Sequence, residues 1–228
     1  MNAKQVLAEL EKLGSEQTRK TYRNHGVAGP LFGVKYGDLG KLVKKLGTDH
    51  ELALALWDSG NHDARIVAAM ICDGDAMSQK VLNAWLREVS DHVLSSAVAK
   101  VAARSEAGRK LLPKWCAAKG EWPAATGWMA RAEVASGDHA PNKTEGKAWI
   151  RAIRAGIHAA PNRVRHSMNV ALIAVGTYVD GLEEVAVAAA DEIGTVEVDH
   201  GPTSCKTPAA GPYIRKAAAH HRKKLAKR

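Results

Sequence analysis

The sequence predicts an all-α fold in which short turns join one helix to the next. Three observations carry that prediction. Alanine, the best helix former and a poor strand former, recurs throughout, in runs such as Ala186-Val187-Ala188-Ala189-Ala190. Apolar residues return at three- and four-residue spacing along most of the chain. No stretch alternates in the manner of a βαβ unit.

Taken in order, Ala3, Val6, Leu7, Leu10 and Leu13 share one face of a first helix. Leu39, Leu42, Val43 and Leu46 mark another. Val81, Leu82, Trp85, Leu86 and Val89 make a third stripe, and Val93, Leu94, Ala97, Val98 and Val101 resume after a break at Ser90-Asp91. Trp149, Ile150, Ile153 and Ile157 follow, then Met168, Ala171, Leu172 and Val175, then Leu182, Val185, Ala186, Ala189 and Ile193. Ser15, Asp38, Thr48, Ser59, Ser78, Ser90, Ser105 and Asn162 are the expected N-caps. Gly14, Gly26, Gly47, Gly60, Gly120 and Gly176 are the expected ends. The pattern predicts about twelve helices of roughly 10–17 residues.

Helix pairs joined by short turns suggest an α-solenoid, with an irregular helical bundle as the competing arrangement. Leu56-Trp57-Asp58-Ser59-Gly60-Asn61 and Lys114-Trp115-Cys116-Ala117-Ala118-Lys119-Gly120-Glu121 each close one helix and open the next. The helix near Pro161-Asn162 begins roughly 40 residues after the second, close to the two-helix HEAT period of ~40–47 residues. The expected organisation is one HEAT-like domain over 1–228. Residues 194–208, bracketed by Gly194 and two prolines, read as an ordered non-helical loop. A last helix from about Ala209 runs into a strongly basic tail, 220–228, expected to fray.

The 228-residue chain carries 33 Lys+Arg against 24 Asp+Glu, a net charge of +9. It is 46% apolar and 25% charged, which excludes disorder as a whole-chain state. No apolar run approaches a membrane span, and the charged amphipathic start is unlike a signal peptide. Cys72, Cys116 and Cys205 form no CxxC pair, so no structural zinc site, other metal or cofactor is expected. Reduced thiols in a cytoplasmic monomer are the expectation.

The positive charge is clustered. Arg19, Lys20 and Arg23 form one group, and Lys35, Lys41, Lys44 and Lys45 a second. Arg151, Arg154, Arg163, Arg165 and His166 form a third, and the tail a fourth. Each cluster alone reads as a solvated helix face. Together with the +9 surplus they point to a polyanion, whose binding would be salt-dependent.

Four separated blocks carry a family resemblance. Ser15-Glu16-Gln17-Thr18-Arg19-Lys20-Thr21-Tyr22-Arg23-Asn24-His25-Gly26 leads into Gly29-Pro30-Leu31-Phe32-Gly33-Val34-Lys35-Tyr36-Gly37-Asp38-Leu39. Residues 53–65 form the second block and Met168–Gly176 the third. The fourth is Val196-Glu197-Val198-Asp199-His200-Gly201 with Cys205-Lys206-Thr207-Pro208. In these blocks the chain resembles the bacterial DNA alkylation repair proteins of the AlkD type. The resemblance implies a superhelix of HEAT-like repeats with a basic concave face that binds double-stranded DNA. It also implies hydrolytic removal of N3- and N7-alkylated purines, with aromatic and acidic side chains stabilising the positive charge on the deoxyribose.

The family's catalytic positions are filled differently here. Its Trp and the Asp four residues on fall at His92 and Ser96, its Arg at Thr126 and its second Trp at Val170. None can supply a carboxylate or an indole face, so no catalytic residue carries over. Trp122 and Trp128 offer aromatic surface nearby, but their spacing favours core packing. The candidate DNA-binding residues are therefore Arg19, Lys20, Arg23, Lys35, Lys41, Lys44, Arg65, His92, Arg163, Arg165 and Lys206. Asp199, His200 and Cys205 suggest a nucleophilic constellation, with a loop-stabilising role weighing more. His200, Cys205, His220 and His221 lack metal-site spacing. The leading expectation is a binder of damaged or distorted duplex DNA. The alternatives are an active N-glycosylase and a protein-interaction solenoid.

Overall fold

The computed structural model describes residues 1–227; Arg228, the last residue of the predicted tail, lies outside the described residues. Among the described residues there are thirteen α-helices and no strand. These are α1 Ala3–Leu13, α2 Glu16–Asn24, α3 Tyr36–Leu46, α4 His50–Asp58, α5 His62–Ile71, α6 Gln79–Arg87 and α7 His92–Arg104. They continue as α8 Glu106–Cys116, α9 Glu121–Ala135, α10 Lys143–Gly156, α11 Asn162–Tyr178, α12 Glu183–Ile193 and α13 Ala210–Leu225, with a 3-10 turn at Ile157–Ala159. The chain divides into two compact units. Unit 1 comprises Met1–Leu111 with His200–Ser204, and unit 2 comprises Leu112–Asp199 with the residues from Cys205 onward.

Side-chain caps begin most helices, because the first N–H groups of a helix have no partner within it. Asn2 forms a reciprocal capping box with Gln5. Ser15 and Ser78 accept from Thr18 N and Val81 N as expected, and Ser105 accepts from Gly108 N. Elsewhere a stronger acceptor within two residues displaces the expected one. Asp49 caps α4 in place of Thr48, Asn61 caps α5 in place of Ser59, and Asp91 caps α7 in place of Ser90. Asp38 lies inside α3 and pairs with Lys41. Asn162 is the first residue of α11, with its side chain used by the loop.

In unit 1 the core is built from α4, α5 and α7 with residues such as Leu56, Ile66, Val67, Val98 and Val101, all fully buried. The Trp57 and Trp85 rings stack 4.1 Å apart and within 4° of parallel. The segment between α2 and α3 has no helix of its own, so its backbone donors need side-chain partners. Asp63, fully buried in the first turn of α5, supplies them. Its carboxylate accepts from Phe32 N at 2.7 Å, Gly33 N at 3.0 Å and Val34 N at 2.9 Å. Gly33 has φ +76° and lies against Arg19, leaving no room for a side chain. Tyr22 closes the same knot by donating to Val34 O. Burial, then the nearby charges of Asp63 and Tyr36, push the Tyr22 hydroxyl up to about 12.

A second buried carboxylate, Asp91, accepts from Val93 N and Leu94 N, and His62 Nε2 lies 3.3 Å away. Burial alone would raise the Asp91 pKa. The His62 contact and the two backbone donors outweigh it, so the net shift is downward.

In unit 2, α11 is central, with α9, α12 and α13 against it. Gly176 does not end a helix as expected. It sits inside α11, where a Cβ would lie 2.7 Å from Ala186 Cβ and 2.9 Å from Ile214 Cγ2. Its missing side chain lets α12 and α13 approach closely. The Arg131 guanidinium lies between the Trp128 and Trp149 rings, 4.7 and 4.8 Å from their centroids, a cation–π sandwich. The residues between Ile193 and Ala210 are non-helical. Asn162 pairs with both the N–H and the carbonyl of Asp199 in that loop, and Asn169 donates to Pro208 O. Helix α13 continues through His220 to Leu225. Its closing cations favour the negative end of the helix dipole, and Arg222 is anchored to Glu183.

Two stability outcomes follow from the buried acids. Asp63→Ala leaves three buried donors unpaired and is expected to cost on the order of 3 kcal/mol in urea unfolding; an unchanged midpoint contradicts the role given to Asp63. A carboxyl whose folded pKa lies below its unfolded value stabilises the fold where it is ionised. The Asp91 contribution is therefore complete above the unfolded pKa of about 4 and is lost as pH falls through the lower folded value. The stability gap between wild type and Asp91→Asn should narrow over that acidic range, and a gap independent of pH contradicts it.

Candidate nucleic-acid interface

The candidate cations of unit 1 divide into engaged and open side chains. Arg19 pairs with Glu16 and donates to Phe32 O at 3.0 Å. Arg23 donates to Val27 O at 2.6 Å. Lys41 bonds Asp38 at 2.8 Å while most of its side chain stays in water. Arg65 is the most enclosed, with 16% of its side chain exposed. It donates to Trp57 O, lies 5.2 Å from the Trp57 ring centroid and is paired with Glu88. Burial, partly offset by Asp58, lowers its pKa. Lys20, Lys35 and Lys44 are solvent-exposed on α2, at the start of α3 and in its last turn. Arg19 and Arg23 are one turn apart on α2, and Lys41 and Lys44 nearly so on α3.

In unit 2, Arg163 and Arg165 are half-buried in the first turn of α11. The Arg163 N–H is capped by Glu121 Oε1 at 2.8 Å. Lys206 is exposed in the loop.

The four positions that the resemblance assigns to the family's catalytic residues lie on α7, α9 and α11. His92 opens α7, and its ring meets His25 edge-on at 5.1 Å. Ser96 returns its hydroxyl to His92 O at 2.9 Å. Thr126 is completely buried in α9. Val170 presents an aliphatic side chain on α11. Trp128 is buried, in keeping with its core spacing, and Trp122 is half-buried. Cys72 and Cys116 are held as protonated thiols by burial, Cys116 with its pKa pushed up to about 12. Among the described residues, no three His, Cys, Asp or Glu side chains are grouped to hold a metal ion. None of the helices described is long and apolar enough to cross a membrane.

Around Val170, α9, α11 and α13 enclose an open groove of about 420 Å³. Glu133, His166, Thr177, Tyr178 and Tyr213 line it with Val170. The sequence marks His166 as a charge and Val170 as a family position, whereas Glu133, Thr177, Tyr178 and Tyr213 belong to no motif. The signal was the helical spacing of His166, Val170, Ile173 and Thr177, which places them on one face of α11.

The comparisons with known proteins agree with one another. The family model for DNA alkylation repair enzymes matches residues 6–223. An uncharacterized protein of Listeria innocua serovar 6a is 32% identical over 220 residues, covering 93% of this chain and 96% of its own. One from Listeria monocytogenes serovar 1/2a is 30% identical with the same coverage. A solved structure from a family related to the HEAT-like repeat DNA glycosylases, with affinity for branched DNA structures, superposes with a TM-score of 0.88 at 31% identity. That match covers 97% of this chain and 96% of the other. The fold class is therefore an all-α solenoid of HEAT-like two-helix repeats. With nearly the whole length matched, the chain belongs to the DNA alkylation repair enzyme family.

Proposed function

We propose that the chain is a cytoplasmic, monomeric DNA-binding protein that recognises branched, distorted or damaged duplex DNA without excising a base. The observation that carries this reading is the content of the four family positions. His92, Ser96, Thr126 and Val170 hold neither the carboxylate nor the aromatic faces that stabilise an oxocarbenium-like sugar. The affinity of the structural neighbour's family for branched DNA supports the same reading.

Phosphates would be met by open cations, above all Lys20, Lys35 and Lys44 in unit 1 and Arg163, Arg165 and Lys206 in unit 2. Arg19, Arg23, Lys41 and Arg65 would add field rather than free donors, because their charges are partly spent within the protein. His92, exposed in part beside His25, would add a short-range polar contact. Family membership favours a second reading, residual N-glycosylase activity on N3- or N7-alkylated purines using other residues.

Fluorescence anisotropy on linear and three-way-junction DNA at low salt tests the first reading. The wild type should bind the junction more tightly than the linear duplex. Lys20→Glu/Lys35→Glu/Lys44→Glu should weaken both about tenfold or more. Absence of binding to either DNA contradicts the proposal. Release of 7-methylguanine or 3-methyladenine from alkylated duplex above background would replace the binding-only reading with the glycosylase one.

A further inference from the structure

The groove of unit 2 has the chemistry of a site for a nucleobase rather than for a phosphate. Its volume of about 420 Å³ falls in the ~300–1,000 Å³ range of small-molecule sites. Its α11 face is mostly aliphatic, from Val170, Ile173 and Ala174. Tyr178 and Tyr213 remain 41% and 50% exposed beside it. The Tyr178 ring is held edge-on by His221 at 5.0 Å. Thr177, another lining residue, is 7% exposed, yet its hydroxyl has no hydrogen-bond partner in the protein. Buried hydroxyls are ordinarily bonded, so this one is an unsatisfied polar group within the groove wall.

The charges around the groove narrow the choice of ligand. The acid lining it, Glu133, repels a phosphate and accepts hydrogen bonds from exocyclic amino groups. Cations stand outside it. On α13, Lys216, His220 and Lys224 follow Tyr213 by three, seven and eleven residues, which keeps them on its side of the helix. On α11, Arg163 precedes His166 by three residues. An apolar slot with aromatic rings, an internal acceptor and an external basic track matches a flipped-out base with its strand alongside.

We infer that this groove receives a single unpaired nucleobase exposed at a branch point of DNA. The base lies against Tyr178 and Tyr213. Glu133 takes its polar edge, and the cations of α13 and the start of α11 take the adjoining phosphates. The inference deepens the DNA-binding reading and rests on it. A paired base stays within its stack and cannot enter, so the groove supplies a preference for DNA with unpaired positions.

The test uses two three-way junctions that differ only at the branch point, where one carries an unpaired 2-aminopurine and the other pairs it. Wild-type protein should favour the unpaired junction by about fivefold or more, the low end of one base–aromatic stacking interaction, and should change the 2-aminopurine emission. Val170→Trp fills the groove and should bring the ratio of the two affinities to about one. Glu133→Gln leaves the volume intact and should reduce the ratio by weakening the acceptor; circular dichroism and melting confirm that both variants fold. A wild type that binds both junctions equally overturns the inference alone, as does Val170→Trp retaining the preference. A wild type that binds neither overturns the DNA-binding reading together with it.

Discussion

A backbone N–H removed from water must find an acceptor, and in this chain acidic and amide side chains provide it at many of the critical points. Asp63 gathers three N–H groups of the segment before α3, Asp91 holds the first turn of α7, and Glu121 caps α11. Asn162 secures the loop before α13 from both sides of one residue. A protein made of many short helices has many such ends, and few are hidden in long regular ladders. The caps therefore fix where each helix begins and, with it, which face the helix turns inward.

The same constraint shapes the surface. Acids used as buried acceptors are withdrawn from solvent, while Lys20, Lys35, Lys44 and Lys206 remain in water. The net surplus of +9 is thereby expressed more strongly outside than in. The tryptophans follow the opposite course. Trp57, Trp85, Trp115, Trp128 and Trp149 are buried, two as a stacked pair and two around Arg131. Aromatic surface facing water comes instead from tyrosines, notably Tyr178 and Tyr213. These five indoles serve packing.

Much of this was legible in the sequence. Periodicity and alanine content gave the helices, and four ordered blocks gave the family. Three of the misplaced boundaries share one cause: local rules rank residues, whereas the cap goes to the best acceptor in reach. Thr48, Ser59 and Ser90 lost to neighbouring carboxylates or carboxamides for that reason. Gly176 resembled a helix end because its role depends on Ala186 and Ile214, remote in sequence. Asp63 gave no sign of its role, since its three donors lie about thirty residues away. The groove was hidden similarly: its residues come from three helices, and only the α11 face has a readable spacing.

Exposed cations on this HEAT-like chain are proposed to bind DNA by neutralising its phosphates. The most direct measurement is the dissociation constant for a three-way junction across a salt series. Log K should fall linearly with log salt, at a slope of about −0.9 for each phosphate neutralised, with several phosphates engaged. Affinity unchanged by salt would contradict it.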